Sequence, residues 1–237
     1  MPLVLVGKPG VQSTSYFATP REVFYGNRQF AQLLPLPITI DGTLSSNPGN
    51  APYAWLLFAG TLMGRQSTSR KYRNSVIGLS SAAAVSTDTT ITSDANTVAE
   101  VARLIGLASG NVALTLTGPP TSGGVVAATS VTASAASATT ITLTGQIGAA
   151  KIAGSLLQPA DGSQQITTLL CDLWGQKIVD GSNTTRVDVF AAQLWNGGGI
   201  INSQNIVNYP ADASLIAYIK AALRANIADA HFSDDWT

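Results

Sequence analysis

Apolar and polar residues alternate in several short stretches of the chain, and a period of two is typical of β-strands with one buried face. The alternation predicts strands at Val112–Thr117, Val125–Ala133, Thr139–Thr144 and Arg186–Phe190. Residues 37–79 predict an extended strand, a loop, a second strand, a turn rich in basic residues and a third strand. We therefore expect a mainly β fold.

Two segments have the period of an α-helix. The first is Val98–Ile105, where Thr97 and Glu100 match a capping box and Glu100 lies with Arg103 on the face opposite the apolar residues. The second runs from about Leu215 to Ala230, with Asp212 or Ser214 as its N-cap. Its apolar residues fall in one stripe, formed by Leu215, Ile216, Ile219, Leu223 and Ile227. An acidic, extended tail is expected after it.

Composition divides the chain into three parts. Residues 1–36 combine prolines with scattered aromatic residues and no sustained period, which predicts an extended N-terminal arm. This arm either buries its aromatic side chains on a partner or folds back on its own body. Residues 80–154 are rich in Ala, Ser and Thr and contain a helix and strands, which predicts a small α+β unit inserted between a core of residues 37–79 and 155–237.

Charge is scarce and balanced. The 237 residues include 13 Lys and Arg against 13 Asp and Glu, and charged residues make up 11% of the chain. No net field favours nucleic acid or an anionic membrane, so neither is an expected partner. A surface with so little charge resists association poorly and suits a subunit of an assembly.

Nothing at the start of the chain predicts export. The first apolar run is short and is interrupted by Pro9 and Gly10, and no apolar stretch is long enough to span a bilayer. The single cysteine, Cys171, lies in an apolar run and is expected to be a buried thiol. We expect synthesis in the cytoplasm.

Residues able to carry out catalysis are few and dispersed. The single histidine, His231, and the single cysteine are far apart, so no zinc spacing exists, and the paired Asp234 and Asp235 stand on the tail. Residues 118–123 have the glycine spacing of a P-loop, but Gly124 replaces the lysine that would contact phosphate. No catalytic, cofactor or metal site is expected, and the protein is predicted not to be an enzyme.

One cluster of basic residues stands out, formed by Arg65, Arg70, Lys71 and Arg73. It either meets an acidic surface or phosphates, or is a solvated hairpin turn. Only Tyr72 interleaves with these charges, so a platform for single-stranded nucleic acid is not supported.

Two blocks of the sequence carry a resemblance. The first block, residues 37–79, contains Gly60-Thr61-Leu62-Met63-Gly64 and Lys71-Tyr72. The second block, residues 155–190, contains the turn Asp161-Gly162-Ser163-Gln164, which opens a strand. Together they resemble the phage head-decoration proteins, the family that includes the small lambda-type capsid stabiliser. The resemblance implies a compact β-barrel or β-tulip-like core that is non-enzymatic and homotrimeric.

The resemblance also implies a role. Its expected partners are the major capsid protein and further copies of itself, and its expected place is the capsid exterior, where it cements neighbouring capsomers. The residues expected to contact the capsid are Tyr16, Phe17, Phe24, Tyr25, Arg65, Arg70 and Lys71. The chain departs from the family in being about twice the usual length and in carrying the inserted unit. The alternative function is a receptor-binding or fibre-like virion module that uses the insert for recognition.

Overall fold

The computed structural model describes residues 22–24, 31–35, 38–50, 53–190, 193–227 and 229–235. Within these ranges the helices are α1 (Ala95–Leu107) and α2 (Ala213–Asn226). The strands are β1 (Gln32–Leu33), β2 (Thr39–Ile40), β3 (Leu56–Leu57), β4 (Leu62–Arg65), β5 (Tyr72–Asn74), β6 (Gly78–Leu79), β7 (Thr90–Thr92), β8 (Val112–Gly118), β9 (Ala127–Ser137), β10 (Thr140–Leu143), β11 (Leu156–Pro159), β12 (Thr168–Leu169), β13 (Gln176–Lys177), β14 (Val189–Phe190), β15 (Trp195–Gly197), β16 (Ile200–Ile201) and β17 (His231–Phe232). The expectation of a mainly β fold with minor α is confirmed.

A five-stranded sheet has the strand order β12-β4-β5-β2-β14. Its centre is the antiparallel hairpin β4–β5, in which Gly64 pairs with Arg73 and Arg65 with Tyr72. This hairpin matches the predicted strand, basic turn and strand of the first block. The predicted strand at Arg186–Phe190 joins the sheet only through its last two residues, because Arg186 instead forms a bridge with Val179.

A six-stranded sheet has the order β6-β11-β8-β9-β10-β7. Its first two strands, β6 and β11, belong to the segments that flank the predicted insert, and its other four strands lie within residues 80–154. The tetrapeptide Thr-Thr-Ile-Thr occurs at 89–92 and at 139–142, and these two copies pair antiparallel, with Ile91 opposite Ile141. The predicted strand at Val125–Ala133 starts later, at Ala127, and Val125 is 87% exposed.

Helix α1 begins three residues earlier than the sequence indicated. Its N-cap is Asp94, whose carboxylate accepts hydrogen bonds from the amides of Asn96 and Thr97, so the predicted capping box at Thr97 is wrong. Glu100 was placed on the exposed face, but it is 6% exposed and forms an ion pair with Arg103 at 2.6 Å. A buried carboxylate is tolerated here because the guanidinium group covers it.

Removing this cap should destabilise the protein. We expect Asp94→Ala to lower the free energy of unfolding by about 1–2 kcal/mol, because two amides of the first turn lose their acceptor. Asp94→Asn is the matched control, since an amide oxygen also caps well, and it should lose much less. Urea unfolding measures both; equal losses in the two variants would contradict the assignment of the cap.

Helix α2 begins after Asp212, which accepts hydrogen bonds from the amides of Ser214 and Leu215. It ends at Asn226, four residues before the predicted end. The predicted apolar stripe is confirmed for Leu215, Ile219 and Leu223, each 0% exposed. Each such side chain contributes about 1.5–3 kcal/mol when removed from water, so burial of this face fixes the helix to the body.

Three apolar clusters form the core of the described residues. The first packs α2 against Trp195, Ile201 and Phe232. The second packs α1 on the six-stranded sheet and includes Ile77 and Leu157 from the flanking segments. The third lies under the five-stranded sheet and is formed by Ile38, Ile40, Leu57, Met63, Leu170, Ile178 and Leu194. Cys171 is 1% exposed in the first cluster, as predicted.

The acidic tail, which was predicted to be extended, forms a short strand and a turn. Strand β17 pairs in parallel with β16, and a single 3-10 turn, Ser233–Asp235, follows it. Lys220 lies 2.8 Å from Asp234 and 3.0 Å from Asp235, and Arg224 lies 2.6 Å from Asp235. The two carboxylates therefore attach the tail to α2.

This attachment should fail in acid. Burial opposes ionisation of Asp235, but its hydrogen bonds with Phe232, Arg224 and Lys220 lower its pKa to about 2. A lowered pKa stabilises the attached tail above the usual carboxyl value of about 4, and this stabilisation is lost as the pH falls towards 2. We expect the NMR amide signal of Phe232, which donates to Asp235 at 2.9 Å, to titrate in this range. In Asp235→Asn the signal should no longer titrate there; a wild-type signal unchanged between pH 5 and pH 2 would contradict the attachment.

Candidate partner-binding surface

The two sequence blocks meet in one structural junction. Arg73 in β5 lies 3.1 Å from a carboxylate oxygen of Asp161, although the two residues are 88 positions apart. Gln66 donates to the same oxygen at 3.0 Å, and the amide of Ser67 donates to the carbonyl of Asp161 at 2.9 Å. The loop at Asp161–Gln164 is therefore bonded both to the basic turn, residues 65–71, and to the strand that follows it.

Two glycines of the blocks allow this close approach. A Cβ atom on Gly64 would lie 2.0 Å from the carbonyl oxygen of Ser163 and 2.5 Å from that of Gln165. Gly162 has a φ of +99°, and a Cβ there would lie 2.7 Å from the amide nitrogen of Ser67. Because these neighbours are backbone atoms, they cannot turn aside as a flexible side chain can.

The junction contains a buried ion pair. The side chain of Arg73 is 5% exposed and that of Asp161 is 33% exposed. Burial lowers the pKa of Arg73, and the nearby Asp161 carboxylate opposes this effect. Burial alone would raise the pKa of Asp161, but Arg73 and hydrogen bonds from Ser163 and Gln66 hold it below its usual value. Both groups are thus charged near neutral pH and each compensates for the burial of the other.

A second set of arginine contacts holds the neighbouring loop. Three successive carbonyl groups, those of Thr43, Leu44 and Ser45, each accept a hydrogen bond from a different arginine. The donors are Arg103 of α1 at 2.8 Å, Arg73 of β5 at 2.7 Å, and Arg186. These donors belong to three separate elements, so the loop connects α1, the five-stranded sheet and the segment before β14.

The four predicted basic residues have different environments. Arg73 is internal, whereas Arg65 and Arg70 are exposed, and the Nε of Arg65 donates to the carbonyl of Arg70 at 2.9 Å. Lys71 pairs with Asp188 at 2.6 Å, and this hydrogen bond raises the pKa of Lys71. Within the described ranges neither Arg65 nor Arg70 forms a salt bridge.

The aromatic residues predicted to contact a partner are mostly outside the described ranges. This applies to Tyr16, Phe17 and Tyr25. Phe24 is described and is 3% exposed, with its ring 6.4 Å from that of Trp195 in an edge-on arrangement. Residues 22–24 therefore fold back on the body, which was one of the two possibilities left open for the arm, and Phe24 contributes to the core.

One surface residue was not predicted. Phe190 is 71% exposed at the end of the edge strand β14. The sequence contained a signal for it, because alternation places Phe190 on the same side as the charged residues Arg186 and Asp188. An exposed aromatic side chain of this size suggests a contact surface.

Two observations on the described residues bear on possible chemistry. A cleft of about 140 Å³ is lined by Leu34, Tyr72, Thr167, Thr168, Trp195, Asn196, Asn226 and Ile227, and this set contains no carboxylate or histidine. Across the described ranges, no three His, Cys, Asp or Glu side chains are grouped so that they could hold a metal ion. Neither α1 nor α2, the helices of the described part, has the length and apolar composition needed to cross a membrane.

Comparisons of the chain with protein-family models, with curated proteins and with solved structures found no match.

Proposed function

We propose that this chain is a structural virion protein that binds the outside of an assembled phage capsid and stabilises it by cementing neighbouring capsomers. The main support is the junction of the two blocks. The motifs that resemble decoration proteins lie far apart in sequence, yet Gly64, Arg73, Asp161 and Gly162 pack into a single unit. Their contact supports the proposal because blocks of one shared core should pack together.

The junction gives the proposed function a physical basis. The buried Arg73–Asp161 pair and the backbone contacts of Gly64 fix the base of the hairpin, so the basic turn is held at a defined place. A preorganised surface loses less conformational entropy on binding than a flexible one. Arg65 and Arg70 are then available to a partner.

The proposed mechanism is energetic. As a homotrimer, the protein would contact several capsid subunits at once, and each later contact would be nearly intramolecular. A protein that binds the intact shell better than the disrupted shell stabilises the intact shell by mass action. Neither step requires a catalytic residue or a cofactor, and the protein would act on the capsid exterior.

A receptor-binding or fibre-like module is the second candidate, and one feature favours it. The β8–β9 hairpin carries a loop, residues 119–126, with the highly exposed Val125 near its end. Lys151 is 2% exposed and its Nζ donates to the carbonyls of Gly118 and Ala127, at 3.0 and 2.7 Å, which holds the two ends of the loop together. A rigid, exposed loop is suited to recognition.

The two functions predict different binding partners. Purified protein should sediment with expanded, undecorated capsids of the phage that encodes it and should saturate them in multiples of three. Light scattering after size exclusion should give a trimer. A variant with residues 120–125 replaced by Asn-Gly, a sequence that favours a tight hairpin turn, should bind capsids as the wild type does. If the wild type binds host cells but not capsids, and this variant no longer binds the cells, the receptor-binding function is supported instead.

A further inference from the structure

We propose that Phe190 and the basic turn form one docking surface, and that its partner is an acidic protein segment carrying an apolar side chain. This inference rests on the proposed function, because the partner is taken to be the capsid protein. It adds an apolar anchor that the capsid-contact residues predicted from sequence do not include.

The apolar part of the surface is the edge of the five-stranded sheet. Phe190 is 71% exposed. Strand β14 pairs with β2 on one side, and among the described strands no other strand of that sheet lies beyond it. Large aromatic residues at protein interfaces often carry much of the binding energy, so Phe190 is the natural anchor.

The sheet places Lys71, the last residue of the basic turn, next to this anchor. Val189 pairs with Ile40, which pairs with Tyr72, so β5 and β14 are separated by one strand, a distance of about 10 Å. Val189 and Tyr72 pack on the third cluster. Their sequence neighbours Phe190 and Lys71 therefore lie on the opposite face of the sheet. Asp188 lies two residues before Phe190 and so points to the same side. Its 2.6 Å contact with Lys71 agrees with this placement.

The charge of this surface selects the partner. Lys71 is compensated by Asp188, and the Asp161 carboxylate beside the turn is compensated by Arg73. A third nearby carboxylate, Asp41, is 7% exposed and accepts the amide of Leu44. Arg65 pairs with Tyr72 and starts from the other face of the sheet, but its Nε donates to the carbonyl of Arg70, so its side chain reaches the turn. Arg65 and Arg70 therefore remain as excess positive charge on the exposed turn. Complementary carboxylates on the partner would pair with them, while an apolar recess would receive Phe190.

The test compares three variants on capsids. Phe190→Ser removes the anchor, and Arg65→Gln with Arg70→Gln removes the excess charge. Val125→Ser is the control, because it removes another highly exposed apolar side chain, that of the loop of residues 119–126. We expect the first two variants to bind undecorated capsids about tenfold more weakly or worse and the control to bind unchanged. Wild-type binding should also weaken with added salt, and more steeply than that of the double arginine variant.

Each other outcome is decisive. If the wild type does not bind capsids, the proposed function fails and this inference fails with it. If the wild type and all variants bind equally, only this inference is wrong. If Phe190→Ser instead dissociates the trimer in light scattering, the surface is covered by a second copy. If the wild type shifts a labelled single-stranded oligonucleotide and the double arginine variant does not, the turn binds nucleic acid. Either of these last results overturns the proposal.

Discussion

Replacing Gly64 by alanine is expected to lower the free energy of unfolding by about 3 kcal/mol. The added methyl group would lie 2.0 Å from the carbonyl oxygen of Ser163 and 2.5 Å from that of Gln165, far inside contact distance. Relief requires movement of the backbone in the Asp161 loop or in β4, and overpacking of this kind is among the most costly of single substitutions. Urea unfolding measures the change.

Gly106→Ala is the matched control. A Cβ on Gly106 would meet nothing within 4 Å, and the residue lies inside α1. Alanine is favoured over glycine in a helix, so this variant should be more stable by about 0.5–1 kcal/mol. A Gly64→Ala protein as stable as the wild type would mean that the two blocks are not packed as described.

Removing the carboxylate of Asp161 is the second change expected to lower the free energy of unfolding strongly. We expect Asp161→Ala to cost about 2–3 kcal/mol, because the guanidinium group of Arg73, 5% exposed, loses its ionic partner. This value is below that for a fully buried pair because the Asp161 side chain is one-third exposed and solvent partly screens the interaction. Thermal and urea unfolding of the purified variant measure the loss.

A double-mutant cycle separates this pair from other effects of the substitution. In an Arg73→Met background, Asp161→Ala should cost much less than in the wild type, since no buried charge is left unpaired. The wild type should also lose this stabilisation as the pH falls below about 4, because the pKa of Asp161 is lower in the folded protein than in the unfolded chain. Equal costs in both backgrounds would contradict the ion pair.

The hairpin β4–β5 and both helices were predictable because their signals are local. Alternation and a turn rich in basic and hydroxyl residues determine the hairpin, and an apolar stripe determines α2. The ends were less predictable, since a capping aspartate competes with a plausible threonine three residues later in α1. Sequence gives the spacing of such candidates but not which of them lies next to the free amides.

The burial of charged residues was not predictable because it depends on contacts between segments that are distant in sequence. Arg73 looked like part of a solvated basic turn because its partner, Asp161, stands 88 residues away. Glu100 looked exposed because its helix face is otherwise polar, and only the fold brings the Thr43–Ser45 loop against Arg103 on that face. Alternation groups Phe190 with Arg186 and Asp188, but its position at a sheet edge depends on the pairing of β14 with β2.

Electron cryomicroscopy of capsids mixed with the protein tests the central proposal most directly. The proposal predicts added trimeric density at the three-fold positions of the expanded shell, with the edge strand β14 and the basic turn facing the capsid and the loop of residues 119–126 pointing outwards. Capsids that show no added density at saturating protein concentration would contradict the proposed function.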